Sequence, residues 1–444
     1  MVEVASNAAQ AALSEDGRKA ARSGVAVSGV CEQAQRASLG KSQTKSPTLA
    51  KLGKRRLSNR QKSALRVQHR EQRAGILRKI SSIKRVRRCG RFLAPGAGAV
   101  GVKFSPASPN SGASSGFSGL ERCGSVWACP ACSARVAAHR AGQLADGCKA
   151  WIEQGGTIAM VTLTMRHHAG MPLKKLWDAK SRAWRAVHNN RGYREDKERA
   201  GIEGWVTGTE VTHGKNGWHV HIHCLLFCSK NNSDDVLESI GARAFDRWAN
   251  SLESAGLPRP SAKHGVDVVA VNSGNDAREI GSYVVKGLAA ESALGQLKTG
   301  RGGNVTPFEL LDSAGQDDAR ALTLWKEWET VSLGKRQMAW SRGMKAALQV
   351  DDLTEQEIVE KDIEGEVIGL IAPKDWRKVG KNVVFRQEIL IAVQLSRNSK
   401  EAQKRASKVA RHFGIQLDKR PTKKISDNVE AENVSTKASF LPPN

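Results

Sequence analysis

Three of the eleven histidines in this 444-residue chain, His219, His221 and His223, occupy alternate positions of one apolar run, residues 217–227. A β-strand turns alternate side chains to one face, so the three imidazoles share a side. Val220, Ile222 and Cys224 face the other way, toward a core. Imidazoles in a row on a half-buried strand are costly unless something engages them, and a divalent metal ion meets that need. The plainer reading is a polar strand face with solvated histidines.

A second strand, 204–212, precedes the histidine run, and Asn216-Gly217 is the strongest short hairpin signal between them. A two-residue turn there sets Thr212 opposite His221 and Glu210 opposite His223. A four-residue loop instead sets Glu210 opposite His221. Opposed residues of an antiparallel pair point to one side, so either register brings Glu210 to the histidines. Two imidazoles and a carboxylate with positions left open suit a catalytic metal ion. These ligands admit Mn, Fe, Co, Ni or Zn, and Mg where a phosphate joins them.

The chain has two tyrosines, Tyr193 and Tyr283. On a helix spanning 276–292, Glu279 and Lys286 lie four before and three after Tyr283, on one face. A phenol is a poor nucleophile at its usual pKa near 10. A nearby cation and a metal-bound phosphate would favour phenolate, and Glu279 could take a proton from the phenol or from water. The competing reading is an amphipathic helix with an interface tyrosine. Tyr193 has Asn189 four residues before it and reads as a surface or DNA-contact residue.

Four cysteines form a third group. Cys123, Cys129 and Cys132 lie close in sequence, and Cys89, like Cys123, sits between an Arg and a Gly. Four thiolates make a closed tetrahedral zinc site. A redox Cys-x-x-Cys is the rival, but it leaves Cys89 and Cys123 without a role. Cys148 and His139 are substitute ligands. Cys31, Cys224 and Cys228 stay unassigned or in the core.

The elements that must position these groups alternate. Strands are expected at 157–165, 204–212, 217–227 and 265–273, and helices at 174–190, 236–252 and 276–292. The pattern predicts an α+β fold, a central antiparallel sheet with helices on one face. Residues 1–85 read as a disordered basic arm with one helix near 60–80, and 86–150 as a zinc-binding cysteine module. The main domain spans 151–350. A small α/β extension follows at 351–415, with a strand pair and a helix, and 416–444 form a loose tail.

The net charge of +26 makes a polyanion the natural partner, nucleic acid before a membrane surface. Basic residues would track phosphates, and exposed tryptophans among the eleven would stack bases. No apolar run approaches the roughly 20 residues of a membrane helix. The opening residues lack the pattern of a secretory signal, so a cytoplasmic protein with reduced cysteines is expected.

The stretches RCGSVWACPACSARV, VTLTMRHHAG, GTEVTHGKNGWHVHIHCLLF, EIGSYVVKGLAAES, TPFELL and LGKRQMAWSRGMKAAL resemble, in order, the replication initiators of rolling-circle plasmids. These belong to the HUH endonuclease superfamily, and the likeness is closest to their actinobacterial branch. It runs over about 86–415. It implies that His221 and His223 bind a catalytic Mg2+ or Mn2+ with Glu210 as third ligand, and that His219 is an additional histidine of the branch. It implies that Tyr283 is the nucleophile and that Glu279 activates water for the terminating hydrolysis, with Lys286 beside them. Family members often carry Pro where this chain has Val220, and His167 falls in the family's first motif. The implied activity is nicking and rejoining of single-stranded or hairpin origin DNA, giving a 5′-phosphotyrosine and a 3′-hydroxyl primer. Zn2+ would be structural, and a host helicase and DNA polymerase would be partners, since the chain has no nucleotide-binding phosphate loop. A conjugative relaxase, a single-tyrosine transposase and a non-catalytic zinc-dependent DNA binder are the alternatives.

Overall fold

A computed structural model describes residues 58–107, 113–271, 303–361 and 365–418. Two antiparallel sheets organise them. The smaller has the order β2-β1-β8, with β1 Val100–Ser105, β2 Ser114–Ser118 and β8 Glu366–Ile371. The larger has the order β6-β3-β5-β4-β7, with β3 Thr157–Thr164, β4 Ile202–Gly214, β5 Gly217–Cys228, β6 Val266–Val271 and β7 Met338–Trp340. The four expected strands all form, and the histidine strand β5 is central.

Burial along β5 shows how the larger sheet is covered. From Trp218 to Ile222 it alternates, with Val220 and Ile222 buried and His219 and His221 half-buried. One face packs on the helices Leu173–His188 and Asp234–Ser254, through Leu176, Trp177, Phe245 and Trp248. From His223 onward every residue of β5 is buried. There the helix Pro130–Glu153 closes the second face, its Leu144 and Cys148 meeting Met160, Leu225 and Phe227. Among the described residues, helices therefore cover one face wholly and the other in part, and no described helix lies over the histidine half of that second face.

The hairpin turns one residue earlier than Asn216-Gly217 suggests. Gly214 pairs with Gly217, Lys215 and Asn216 make the turn, and Glu210 opposes His221 rather than His223. Gly217 has φ +83°, a conformation L side chains rarely adopt, and it abuts the backbone of His168 and Ala169. The glycine is thus used to close the strand against that backbone rather than inside the turn.

The basic N-terminal stretch is not all arm. Ser58 and Gln61 form a capping box that starts the helix Asn59–Ile80. Val67 and Leu77 are buried, and Arg73 grips Asp312 at 2.6 Å. The Glu329 carboxylate accepts from Ser82 Oγ at 2.6 Å and from Ser81. Charge density hid these anchors, because their partners lie some 240 residues away. The C-terminal stretch also differs from expectation. Among the described residues only β8 is a strand there, pairing with β1, and the helices Pro373–Val379, Val383–Gln394 and Ser399–His412 follow. NVVFRQEILIAVQL is helical because Asn382 caps it and Phe385, Ile389 and Val393 share a buried face. The chain beyond 350 thus completes a sheet begun at 100. The expectation of base-stacking tryptophans is also overturned. Eight of the eleven are buried and Trp151, Trp184 and Trp340 are half-buried, so they are packing residues.

Glu71 and Arg386 join the first helix to that sheet. Arg386 Nε donates to Glu71 Oε2 at 2.6 Å, and both side chains are 5% exposed. Burial works to raise the Glu71 carboxyl, but the charges of Arg386 and Arg70 bring it down to about 2 from 4.5. A depressed carboxylate stabilises the fold above its unfolded value, and that contribution is lost as pH falls from about 4.5 toward 2. Glu71→Gln leaves Arg386 buried without its counter-charge, at a cost of about 3–5 kcal/mol. Denaturant titrations should show that loss at pH 7. They should also show a shallower fall in stability below pH 4.5 in the variant than in the wild type.

Candidate metal centres and active site

The carboxylate and two of the histidines converge. Glu210 Oε2 lies 3.2 Å from His221 Nε2 and 3.3 Å from His223 Nε2. Ligands about 2.1 Å from one ion, at angles between octahedral and tetrahedral, stand about 3.0–3.4 Å apart, so the trio fits a single cation. Burial works against ionising Glu210, yet His221 and His223 hold its carboxyl well below the usual range. Thr162 Oγ1, on the neighbouring strand, lies 3.0 Å from His223 Nδ1. Occupying Nδ1 in this way leaves Nε2 aimed at the shared point. His221 Nδ1 is buried with no hydrogen-bond partner among the described residues.

His219 stands one step aside. Its Nδ1 is 3.0 Å from His167 Nε2, and His167 Nδ1 is 2.8 Å from the carbonyl oxygen of Asn216. That carbonyl only accepts, so His167 Nδ1 donates to it; in a neutral His167 the other nitrogen, Nε2, accepts from His219 Nδ1. His219 Nε2 is then the ring's free acceptor. Burial, with His221 and His167 nearby, brings His219 down to about 4, so it is neutral at pH 7. His219 lies outside the converging trio, which consists of Glu210, His221 and His223. Thr162 was missed in the sequence because it becomes a partner only through the β3–β5 register, Thr162 opposite His223.

The four cysteines come together as expected. Cys89 Sγ is 3.5 Å from both Cys132 and Cys129, and Cys123 is 3.7 Å from Cys132. Thiolates bonded at about 2.3 Å to one tetrahedral ion stand about 3.8 Å apart. Gly90 and Gly124, each following a cysteine, have φ of +64° and +63° and turn the backbone around the cluster. Hydrogen bonds from the other three thiols hold Cys89 well below the usual thiol range, while Cys123 and Cys129 are raised. The surroundings supply positive charge. Burial opposes the Arg122 cation, but Cys89, Cys132 and Cys129 raise it. All three guanidinium nitrogens of Arg78 are enclosed without a hydrogen-bond partner among the described residues; burial and the charge of Arg386 bring this guanidinium down to about 10, against the smaller favourable pull of Glu71 and Cys89. A doubly negative metal tetrathiolate would match those cations. Cys148 and His139 are not alternatives: Cys148 packs under the larger sheet and His139 bonds Asp351 at 3.2 Å.

Tyr283, Glu279 and Lys286 lie outside the described residues, as does the expected helix 276–292. The described residues therefore hold two groups that could bind metal ions, one of Glu and two His, one of four Cys. The described residues thus combine an α+β fold of antiparallel sheets with a buried four-cysteine cluster and a Glu/His/His group, each able to hold a metal ion, in a strongly basic chain.

The chain belongs to the Rep_1 family of replication proteins, whose family model matches residues 121–383. It is 31% identical over 296 residues to "Protein rep" of Streptomyces lividans, an alignment covering 52% of this chain and 65% of that protein. It is 32% identical over 133 residues to "Neomycin resistance protein" of Streptomyces cyanogenus, covering 24% of this chain and 30% of that protein. No solved structure matches it. No helix among the described residues is long and apolar enough to cross a membrane.

Proposed function

We propose that this chain initiates rolling-circle plasmid replication by nicking and rejoining one strand of origin DNA in its single-stranded or hairpin form. The convergence of Glu210, His221 and His223 on one face of the larger sheet, in a replication-protein family member, carries this reading. Those three residues would hold Mg2+ or Mn2+, which polarises the scissile phosphate when bound. His219, held in one tautomer by His167, presents a lone pair beside them. Tyr283 is the nucleophile. Its hydroxyl gives up its proton to Glu279 or solvent, its oxygen bonds to phosphorus, the bond to the 3′ oxygen breaks, and that oxygen takes a proton from solvent to become the primer hydroxyl. The phosphate stays on the tyrosine as an ester, so its bond energy is kept for rejoining. Glu279 accepts the proton of the water that ends the cycle, and Lys286 offsets charge on the phosphoryl group. Zn2+ in the cysteine cluster is structural, and a host helicase and polymerase extend the primer in the cytoplasm.

The test searches the DNA flanking the gene for a hairpin with a cleavable loop and incubates a labelled single-stranded oligonucleotide carrying it with Mn2+ and the full chain. A covalent adduct that survives denaturation is expected, absent with chelator and absent in Tyr283→Phe. No adduct in the wild type, or an undiminished one in the variant, overturns the mechanism.

A further inference from the structure

The helix Ser399–His412 has two opposed faces. Ala402, Ala406 and Ala410 are fully buried, and their short side chains let the helix lie against Val383–Gln394 over the core of the smaller sheet. On the other side Lys400, Lys404, Lys408 and Arg411 are exposed. At about 100° per residue these four fall within an arc of roughly 80°, in a row about 16 Å long. The one acid of this helix, Glu401, is occupied by Arg405 at 2.7 Å and by the Arg397 backbone N–H at 2.9 Å. None of the four cations pairs with a carboxylate among the described residues.

We propose that this face docks double-helical DNA, at a place distinct from the Glu210–His221–His223 centre on the larger sheet. The proposal rests on the reading of the chain as a DNA-handling protein, and it adds a surface with a different substrate form. Four cations in one row, without a carboxylate partner among the described residues, suit the phosphate backbone of a duplex, and a single helix fits a major groove about 12 Å wide. An anionic bilayer is the weaker partner. A membrane-surface helix needs a free apolar face, and here the apolar face is already spent on the core.

The four residues are exposed, so a variant with Lys400, Lys404, Lys408 and Arg411 all changed to Gln should keep the wild-type melting temperature and circular dichroism. Binding is measured by fluorescence anisotropy with a 24-base-pair duplex of arbitrary sequence, without divalent metal, over a salt series. The expected result is at least tenfold weaker binding. The slope of log affinity against log salt should flatten by up to about 3.6, about 0.9 for each phosphate no longer neutralised. A matched variant with Arg191, Arg194, Lys197 and Arg199 changed to Gln should weaken binding much less. Equal effects in the two variants, an unchanged salt slope, or a weakening seen with anionic vesicles and not with duplex overturns the proposal. With metal omitted, the readout is independent of strand cleavage. A failed adduct assay and a failed docking face therefore give different results.

Discussion

Cys132→Ser is expected to abolish metal retention at the cysteine cluster and to lower the melting temperature by roughly 6–12 °C or more. Cys132 is 1% exposed and its sulfur lies 3.5 and 3.7 Å from Cys89 and Cys123. A structural zinc ion supplies about 10–16 kcal/mol of apparent binding energy in small peptides. Losing even about 3 kcal/mol of that accounts for the shift at about 2–4 °C per kcal/mol. The cluster also joins distant parts of the chain. Cys89 ends the short helix Lys84–Arg88, Cys123 sits beyond β2, and Cys129 caps the helix Pro130–Glu153, which covers half of the larger sheet. Loosening it should therefore disturb the sheet that carries the histidines. Elemental analysis should find one zinc per wild-type chain and none in the variant, and calorimetry reads the stability. Cys148→Ser is the control. Burial pushes that thiol up to about 12, and it lies away from the cluster, so its substitution should leave the zinc in place. A wild-type chain that binds no metal and melts with Cys132→Ser removes zinc from the account.

What the sequence revealed and what it concealed follow from the range of the interactions. The period-two run around His221 and the Cys-Gly turns are local patterns, so the two groups that could hold metal ions were legible in the sequence, with His219 included among the histidines but standing aside from the converging trio. The hairpin register was legible only to its parity. Whether Lys215-Asn216 or Asn216-Gly217 makes the turn moves Glu210 from His223 to His221 without changing its face. Partners set by tertiary packing were silent. Thr162 reaches His223 across a strand pair, and Arg78 comes near Cys89 only because the first helix folds back onto the cluster. The burial of Arg386 against Glu71, 315 residues earlier, has no local signature either. The helix expected near 60–80 forms as Asn59–Ile80, but its anchoring by the sparse Val67, Leu77 and Arg73 had no local signature in a run so rich in Lys and Arg.

Glu210→Gln should weaken Mn2+ binding at the histidine centre by at least about 100-fold and remove most adduct formation. Substituting residues behind metal ligands already costs about 10–100-fold, so loss of a charged ligand should cost no less. Gln keeps the shape and one oxygen, so the effect reports charge rather than space. Two readings of the same geometry separate here. If Glu210 merely bridges two protonated imidazoles, the variant lowers the metal-free melting temperature, and added Mn2+ changes neither protein. If the trio is a cation site, Mn2+ raises the wild-type melting temperature in proportion to RT ln(1 + [Mn2+]/Kd), and the variant loses that rise. His223→Ala should behave as Glu210→Gln does, because both ligands converge on one point. Thr162→Val removes only the partner of Nδ1 and should cost about 10-fold. Calorimetric titration of the three variants orders them, and a Thr162→Val loss as large as that of Glu210→Gln would show that the trio does not act as the direct ligand set.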